Sequence, residues 1–256
     1  MNSPRLFIKP FLIASLFVCL SPLTFGAGFQ SGRARQESGS PALYDAAKSH
    51  YEAGAYRKAL DTVEELLKAE PDYAPAFLLK ARALIGLSMN VPSLTPDEMK
   101  SPDLRRERKV RQARLLKEAA DSLERFLQLK PETEWAAWFR EQLEALRVYA
   151  EPATKPEAEW TIFSSGEVTE KAHITFRPQP RYPEEARSAR LYGQVKLLVV
   201  LAADGMVKHI LVLQPSHQAL TESAMEAARK IRFDPAIKDG HPVSTALSVE
   251  YNFQTY

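Results

Sequence analysis

The two prolines in Gln179-Pro180-Arg181-Tyr182-Pro183 place the tightest constraint on this 256-residue chain. Each fixes its own φ, removes a backbone donor and turns the preceding residue away from helix. The segment therefore runs extended. Pro183 then stands where the first turn of a helix accepts it, and Glu184 and Glu185 follow at the end of a helix that favours negative charge. About ten residues on, Gly193 opens an alternating run. An extended arm, a short helix over 183–189 and a strand mark the start of a compact C-terminal domain.

Val195, Leu197, Val199 and Leu201 alternate with Gln194, Lys196, Leu198 and Val200, which is strand periodicity. Asp204-Gly205 then sits before a second run at 207–213, a strong hairpin signal. A helix carrying Leu220, Ala224, Ala227, Ala228 and Ile231 comes next. Phe233-Asp234-Pro235-Ala236 and Asp239-Gly240 read as a connecting turn. The last strand alternates Leu247, Val249, Tyr251 and Phe253 against Ser248, Glu250 and Asn252. Stretches 160–163 and 168–176 read as preliminary strands. The expected C-terminal fold is α+β, a three-stranded antiparallel sheet with two helices on one face.

The first half has a helical period. Leu43, Ala46, Ala47 and Tyr51 form one face, Gly54-Ala55-Tyr56 breaks it, and Ala59, Val63, Leu66 and Leu67 form a second face that ends at Pro71. Two such helices with G-x-Y-x-x-A at the turn resemble a tetratricopeptide repeat. A second unit starts at Ala74, with Phe77, Ala81 and Leu84 in its first helix. Its second-helix signature, Ala119-Ala120-x-x-Leu123, comes 60 residues after the equivalent Ala59. Against a 34-residue period this leaves an insertion of about 26 residues. The Pro-rich stretch at about 88–104 has the character for it, with the second helix also extending back through Arg105. Trp135, Trp138, Phe139, Leu143 and Leu146 make a capping stripe. The expected organisation is thus two-domain: an all-α repeat domain at 41–149, a linker at 150–160 and the α+β domain at 161–256.

Residues 1–26 have the form of an export signal or short membrane anchor, with Arg5 and Lys9 ahead of an apolar run and a break at Pro22. Residues 27–40 read as a flexible leader. Without Arg5 and Lys9, the 34 basic residues fall to 32 and balance the 32 acidic ones. Wholesale attraction to nucleic acid is not expected. The basic run Arg105, Arg106, Arg108, Lys109, Arg111, Arg114 and Lys117 reads as the solvated face of a long helix rather than a lipid-binding site. The single cysteine, Cys19, excludes an intrachain disulfide.

No catalytic constellation, metal-ligand spacing or cofactor motif is present, and no enzyme is expected. The last strand runs nearly to the end of the sequence, leaving little chain to cover it. An uncovered edge strand displays N–H and C=O groups to which an extended peptide can pair.

The Q-P-x-Y-P arm, the helix before Gly193, the Asp-Gly hairpin, the Ala-rich helix running into Arg232-Phe233-x-Pro235 and the closing Val-x-Tyr-x-Phe resemble, in order and spacing, the TonB C-terminal domain family over about 80 residues, 174–253. The resemblance implies that this edge captures a short peptide of an outer-membrane receptor or transporter. By position, the arm contributes Gln179, Pro180, Arg181 and Tyr182, and the edge contributes Ser248, Val249, Glu250, Tyr251 and Asn252. Val249→Pro is expected to weaken partner binding by removing a strand donor. Tetratricopeptide repeats offer a concave groove, for which Tyr44, Lys48, Tyr51, Leu78 and Arg82 are the candidates. Two readings follow. One is a periplasmic transducer coupled to an inner-membrane motor and held in the inner membrane by 6–25. The other is an exported adaptor whose repeats hold a second peptide or protein. Self-pairing into a homodimer through the edge strand is a third outcome.

Overall fold

In the computed structural model the described residues are 40–254, so the signal or anchor expected at 1–26 and the leader up to residue 39 lie outside the described residues. Helices α1 (Ser40–Glu52) and α2 (Tyr56–Ala69) form the first hairpin. The chain turns between them at Gly54, whose φ of +73° is one that L side chains resist. Helix α3 (Ala74–Met89) takes Pro75 in its first turn, where no donor is lost. Stretch 90–101 carries one 3-10 turn at Glu98–Lys100, and α4 (Pro102–Leu129) follows as a 28-residue helix. Ser101 caps it by accepting from the Leu104 amide at 3.4 Å. Helix α5 (Ala136–Tyr149) completes the set, each helix packing on the next.

The basic run on α4 is largely consumed within the chain. Arg105 donates to the Met99 carbonyl at 2.8 Å and Arg108 to that of Pro92 at 2.9 Å, which tie the 90–101 stretch down. Arg106 pairs with Glu157 at 3.0 Å. Lys109 reaches the Ile162 carbonyl at 2.9 Å and Glu167 at 3.1 Å. The face expected to be solvated is thus also a fastening for the loop and for the connection to the sheet.

That connection, 150–160, is itself folded. It holds α6 (Glu151–Thr154), a 3-10 turn at Glu157–Glu159 and buried Trp160. The Glu151 carboxylate accepts from the Thr161 amide at 2.9 Å, from its hydroxyl at 2.7 Å and from Lys155 at 2.9 Å.

Strands β1 (Ile162–Phe163) and β2 (His173–Phe176) precede α7 (Glu184–Ser188). Then come β3 (Gly193–Leu201), β4 (Val207–Gln214), α8 (Gln218–Arg229), β5 (Arg232–Asp234), β6 (Ala236–Lys238) and β7 (His241–Phe253). The three expected long strands are adjacent in the order β7-β3-β4, but the sheet is larger than three strands. Strand β1 joins β7 in parallel, and β6 pairs with the start of β7 antiparallel. Strands β2 and β5 form a separate two-stranded ribbon. The turn expected at 233–240 is therefore two short strands. Pro235 separates them, because it cannot donate to either ladder.

Alternation assigns the two faces of the main sheet. Val195, Leu197, Val199, Val249, Tyr251 and Phe253 meet α7 and α8 through Ala186, Leu220, Ala224, Met225 and Ala228. The opposite face also has a cover. Val200, Leu211 and Leu213 are buried in one cluster with Leu84, Leu116, Leu123, Phe139, Leu143 and Leu146 of the helices, and Leu198 packs against it. The described residues accordingly fall in one compact unit. Two domains were expected, yet helices α3 to α5 and the sheet share a core.

Candidate peptide-binding edge

The site is built on β7. Its inner side pairs with β3 from Gly193↔Phe253 to Leu201↔Thr245. Its start pairs with β6 at 241–243, and on the side away from β3 it pairs with β1 at Ser244 and Thr245. From 246 to 253, no strand among the described residues pairs with the outer side.

The parity of that edge is fixed by one contact. The Arg177 guanidinium donates to the Glu250 carbonyl, so Glu250 turns its backbone polar groups outward. Successive residues in a strand alternate, so Ser248 and Asn252 do the same, while Val249 and Tyr251 turn theirs to β3. Side chains follow the same parity. Ser248, Glu250 and Asn252 are exposed; Val249 and Tyr251 are 1% and 2% exposed. Of the five edge residues named from sequence, three turn to the open side and two lie in the core. Val249→Pro accordingly removes a bond to β3, not one to a partner, and its expected effect is a folding defect. Ser248 is the position where proline takes away an outward donor.

The arm lies against the far end of the edge. Tyr182 donates to the Leu191 carbonyl and sets its ring edge-on to Phe253, centroids 5.8 Å apart. It packs under the arm as part of the core. Ser223 donates to the Arg181 carbonyl, which pins the arm to α8. Gln179 and Arg181 are exposed and Pro180 is half-buried. Arg177, not singled out from sequence, lies 4.9 Å over the Tyr251 ring. Burial raises the Tyr251 hydroxyl above its ordinary pKa, with Arg177 opposing the shift. Only its place at the head of the RPQPRYP stretch hinted at this role.

The opposite edge of the sheet, on β4, is closed by helix α5. Gln142 donates through Nε2 to the Ile210 carbonyl at 3.1 Å and accepts through Oε1 from the Val212 amide at 2.8 Å. The Tyr149 hydroxyl donates to the His209 carbonyl at 3.1 Å. His209 has a φ of +46° and sits where the β3–β4 register slips between Leu198 and Val200, a bulge.

The groove residues named from sequence divide. Tyr51, Leu78 and Arg82 line a narrow space whose far wall is Val212, Leu213 and Pro215, so they face the chain's own sheet. Tyr44 packs edge-on against Tyr73 at 5.7 Å, and exposed Lys48 pairs with Glu52 at 3.8 Å.

The α+β sheet thus has its β4 edge bonded by α5 and, among the described residues, no strand on the outer side of β7 from 246 to 253, with a proline-stiffened arm beside it. Residues 178–255 match the family model described as Gram-negative bacterial TonB protein C-terminal. Among curated proteins the chain is similar to "Protein TonB" of Vibrio cholerae serotype O1, 34% identical over 88 residues, covering 34% of this chain and 36% of that protein. It is also similar to "Protein TonB" of Xanthomonas campestris pv. campestris, 35% identical over 75 residues, covering 29% of this chain and 34% of that protein. The chain spans about a third of the length of the curated relatives it matches. Among solved structures it is similar to the solution NMR structure of the Pseudomonas aeruginosa TonB CTD, at 25% identity and a TM-score of 0.29, covering 36% of this chain and 93% of that one.

Proposed function

We propose that this chain acts in energy-coupled transport across the outer membrane, its C-terminal domain taking an extended peptide of a receptor or transporter as an added strand on β7. One observation carries this reading: among the described residues no strand pairs with the outer side of β7 from 246 to 253, next to an arm held by Tyr182 and Ser223. Ser248, Glu250 and Asn252 supply the backbone pairing, and Gln179, Pro180 and Arg181 flank it. The chemistry is binding, not catalysis. The reading places the protein in the periplasm, with an inner-membrane motor as its other partner.

A second reading, an exported adaptor with no part in energy transduction, is favoured by the extent of the match. It covers 178–255 and leaves α1 to α6 outside it. On that reading the helices, a tetratricopeptide-like set, hold a second partner on a surface other than the one facing the sheet. The mass of the N-terminus recovered from the envelope separates the two. Retention of 1–26 in the inner membrane favours the transducer, and cleavage near residue 27 favours the adaptor.

Ser248→Pro tests the edge itself. Proline is tolerated on an edge strand where its missing donor faces outward. The expected result is a folded protein with at least tenfold weaker peptide binding by fluorescence anisotropy. Unchanged binding excludes strand addition at this position. Sedimentation across a concentration series reports self-pairing through the same edge.

A further inference from the structure

A cavity of about 270 Å³ lies between the helices and the second face of the sheet, beside the point where the outer edge of β7 becomes free. Its walls include Leu116 of α4, Val148 of α5, Trp160, Ile162 of β1, Leu198 of β3 and Ala246 of β7. We propose that this cavity is the side-chain subsite for the strand added to β7, selecting a peptide with a large apolar residue opposite Ala246. The inference rests on the strand-addition reading above and adds its specificity.

Three observations carry it. First, β1 already shows how the slot is used. Ile162 lies opposite Ser244 on the outer side of β7 and packs against the core shared with the helices. Directly opposite residues in a ladder share a face, so the residue opposite Ala246 points the same way as Ile162. Strand β1 stops at Phe163, opposite Thr245, and the 164–167 turn leaves the sheet. On the outer side at Ala246, the next position in the row, no strand pairs among the described residues, and Ser164 and Ser165 line the cavity beside it.

Second, the charged groups and the indole N–H in the wall are already engaged. Lys109 is held by Glu167 and the Ile162 carbonyl and lies 4.5 Å over the Trp160 ring. Glu151 is held by Thr161 and Lys155, and the Trp160 indole donates to the Lys155 carbonyl at 3.1 Å. A charged occupant finds no free counter-charge among them, whereas Leu116, Val148, Ile162 and Leu198 offer apolar contact. Third, the volume fits. An apolar cavity of roughly 150 Å³ accepts a benzene ring, so 270 Å³ holds a phenylalanine or leucine side chain.

The partner this fits is an extended peptide with one bulky apolar side chain on the face turned to the helices. The helical part of the chain then contributes directly to recognition, through α4, α5 and Trp160.

The probe is a fluorescein-labelled peptide of alternating threonine and valine, with lysine at each end. One guest position, scanned along its length, carries phenylalanine, alanine or aspartate. For the full chain the expected result is one position where phenylalanine binds at least tenfold more tightly than alanine, and aspartate more weakly than either. Ala246→Trp fills the cavity from the sheet and Val148→Trp from the helices. Both are expected to abolish the preference for phenylalanine over alanine. Equal binding of phenylalanine and alanine peptides at every position overturns the subsite if Ser248→Pro still abolishes binding. A preference that survives both tryptophan variants also overturns it. If Ser248→Pro binds normally, or no peptide binds the native chain, the edge reading itself fails and the subsite with it.

Discussion

The side-chain amide of Gln142 does for Val212 what a neighbouring strand would do, accepting from its backbone N–H at 2.8 Å while donating to the Ile210 carbonyl at 3.1 Å. A primary amide has the donor and acceptor spacing of a peptide group, so one side chain satisfies two edge groups. The residue is 4% exposed, in the contact between α5 and β4. The β4 edge is thereby withdrawn from pairing, and the domain is left with its β7 edge.

Gln142→Leu keeps the side-chain volume and removes both bonds. An unsatisfied buried donor or acceptor costs about 1–3 kcal/mol. Urea denaturation is expected to show a loss of at least 2 kcal/mol on this basis. Sedimentation velocity is expected to show new self-association, because the uncovered strand is a pairing template. A stable monomer within 0.5 kcal/mol of the native chain would remove Gln142 from this role.

Val249 and Ser248 are neighbours of opposite fate. Val249 is buried against α8 and β3, and its amide turns to β3. Val249→Pro is expected to lower stability by about 3 kcal/mol or more, through loss of a ladder bond and of core packing. Ser248→Pro is expected to cost far less stability. Thermal unfolding of both variants checks the parity directly. A larger loss for Ser248→Pro than for Val249→Pro would mean that the outward and inward residues of β7 are assigned the wrong way round.

Much of this was legible in the sequence, for physical reasons. Strand alternation and Asp204-Gly205 are local signals, and the hairpin forms there, with Gly205 at a φ of +82°. The second covered face was legible in principle. Leu198 and Val200 make β3 apolar on both sides, which is the mark of a strand buried on both faces. Strands β5 and β6 were hidden because three residues give no measurable period, and the adjoining Pro235 and Asp239-Gly240 read as turn chemistry. Gln142 had no local signal at all. A glutamine in a helix is ordinary, and only the approach of β4 gives it a purpose. Reading Tyr51, Leu78 and Arg82 as an open groove failed for the same reason, since the chain supplies its own occupant of that face.

Tyr56 and Gly86 are fitted to each other. A Cβ added at Gly86 would lie 2.7 Å from the Tyr56 ring, so α3 and α2 meet where only glycine leaves room. Gly86→Ala is expected to destabilise by about 1–3 kcal/mol through overpacking, despite alanine's better helix propensity. In a Tyr56→Leu background the clash is gone, and the same substitution is expected to be neutral or stabilising by up to about 1 kcal/mol. A double-mutant cycle by denaturant unfolding measures the coupling. Additive effects would show that the ring moves aside freely.

Acid is expected to loosen the join between helices and sheet before it unfolds the rest. Glu151 and Glu167 are both partly buried, and burial alone would raise their pKa values. Bonds outweigh it, from Thr161 and Lys155 to Glu151 and from Ser164 and Lys109 to Glu167, so both lie below the ordinary 4.5. The unfolded chain therefore binds protons at a higher pH than the folded one. The stability these groups contribute is complete above about 4.5 and is lost as the pH falls through their lowered folded-state values. Thermal unfolding from pH 7 to pH 3 is expected to show that decline. The double variant Glu151→Gln, Glu167→Gln is expected to be less stable at pH 7 and to decline less steeply. Hydrogen exchange at pH 3.5 is expected to show early loss of protection in 151–167, where Trp160 and β1 are clasped, ahead of β3. Equal slopes for native chain and variant would place the acid sensitivity elsewhere.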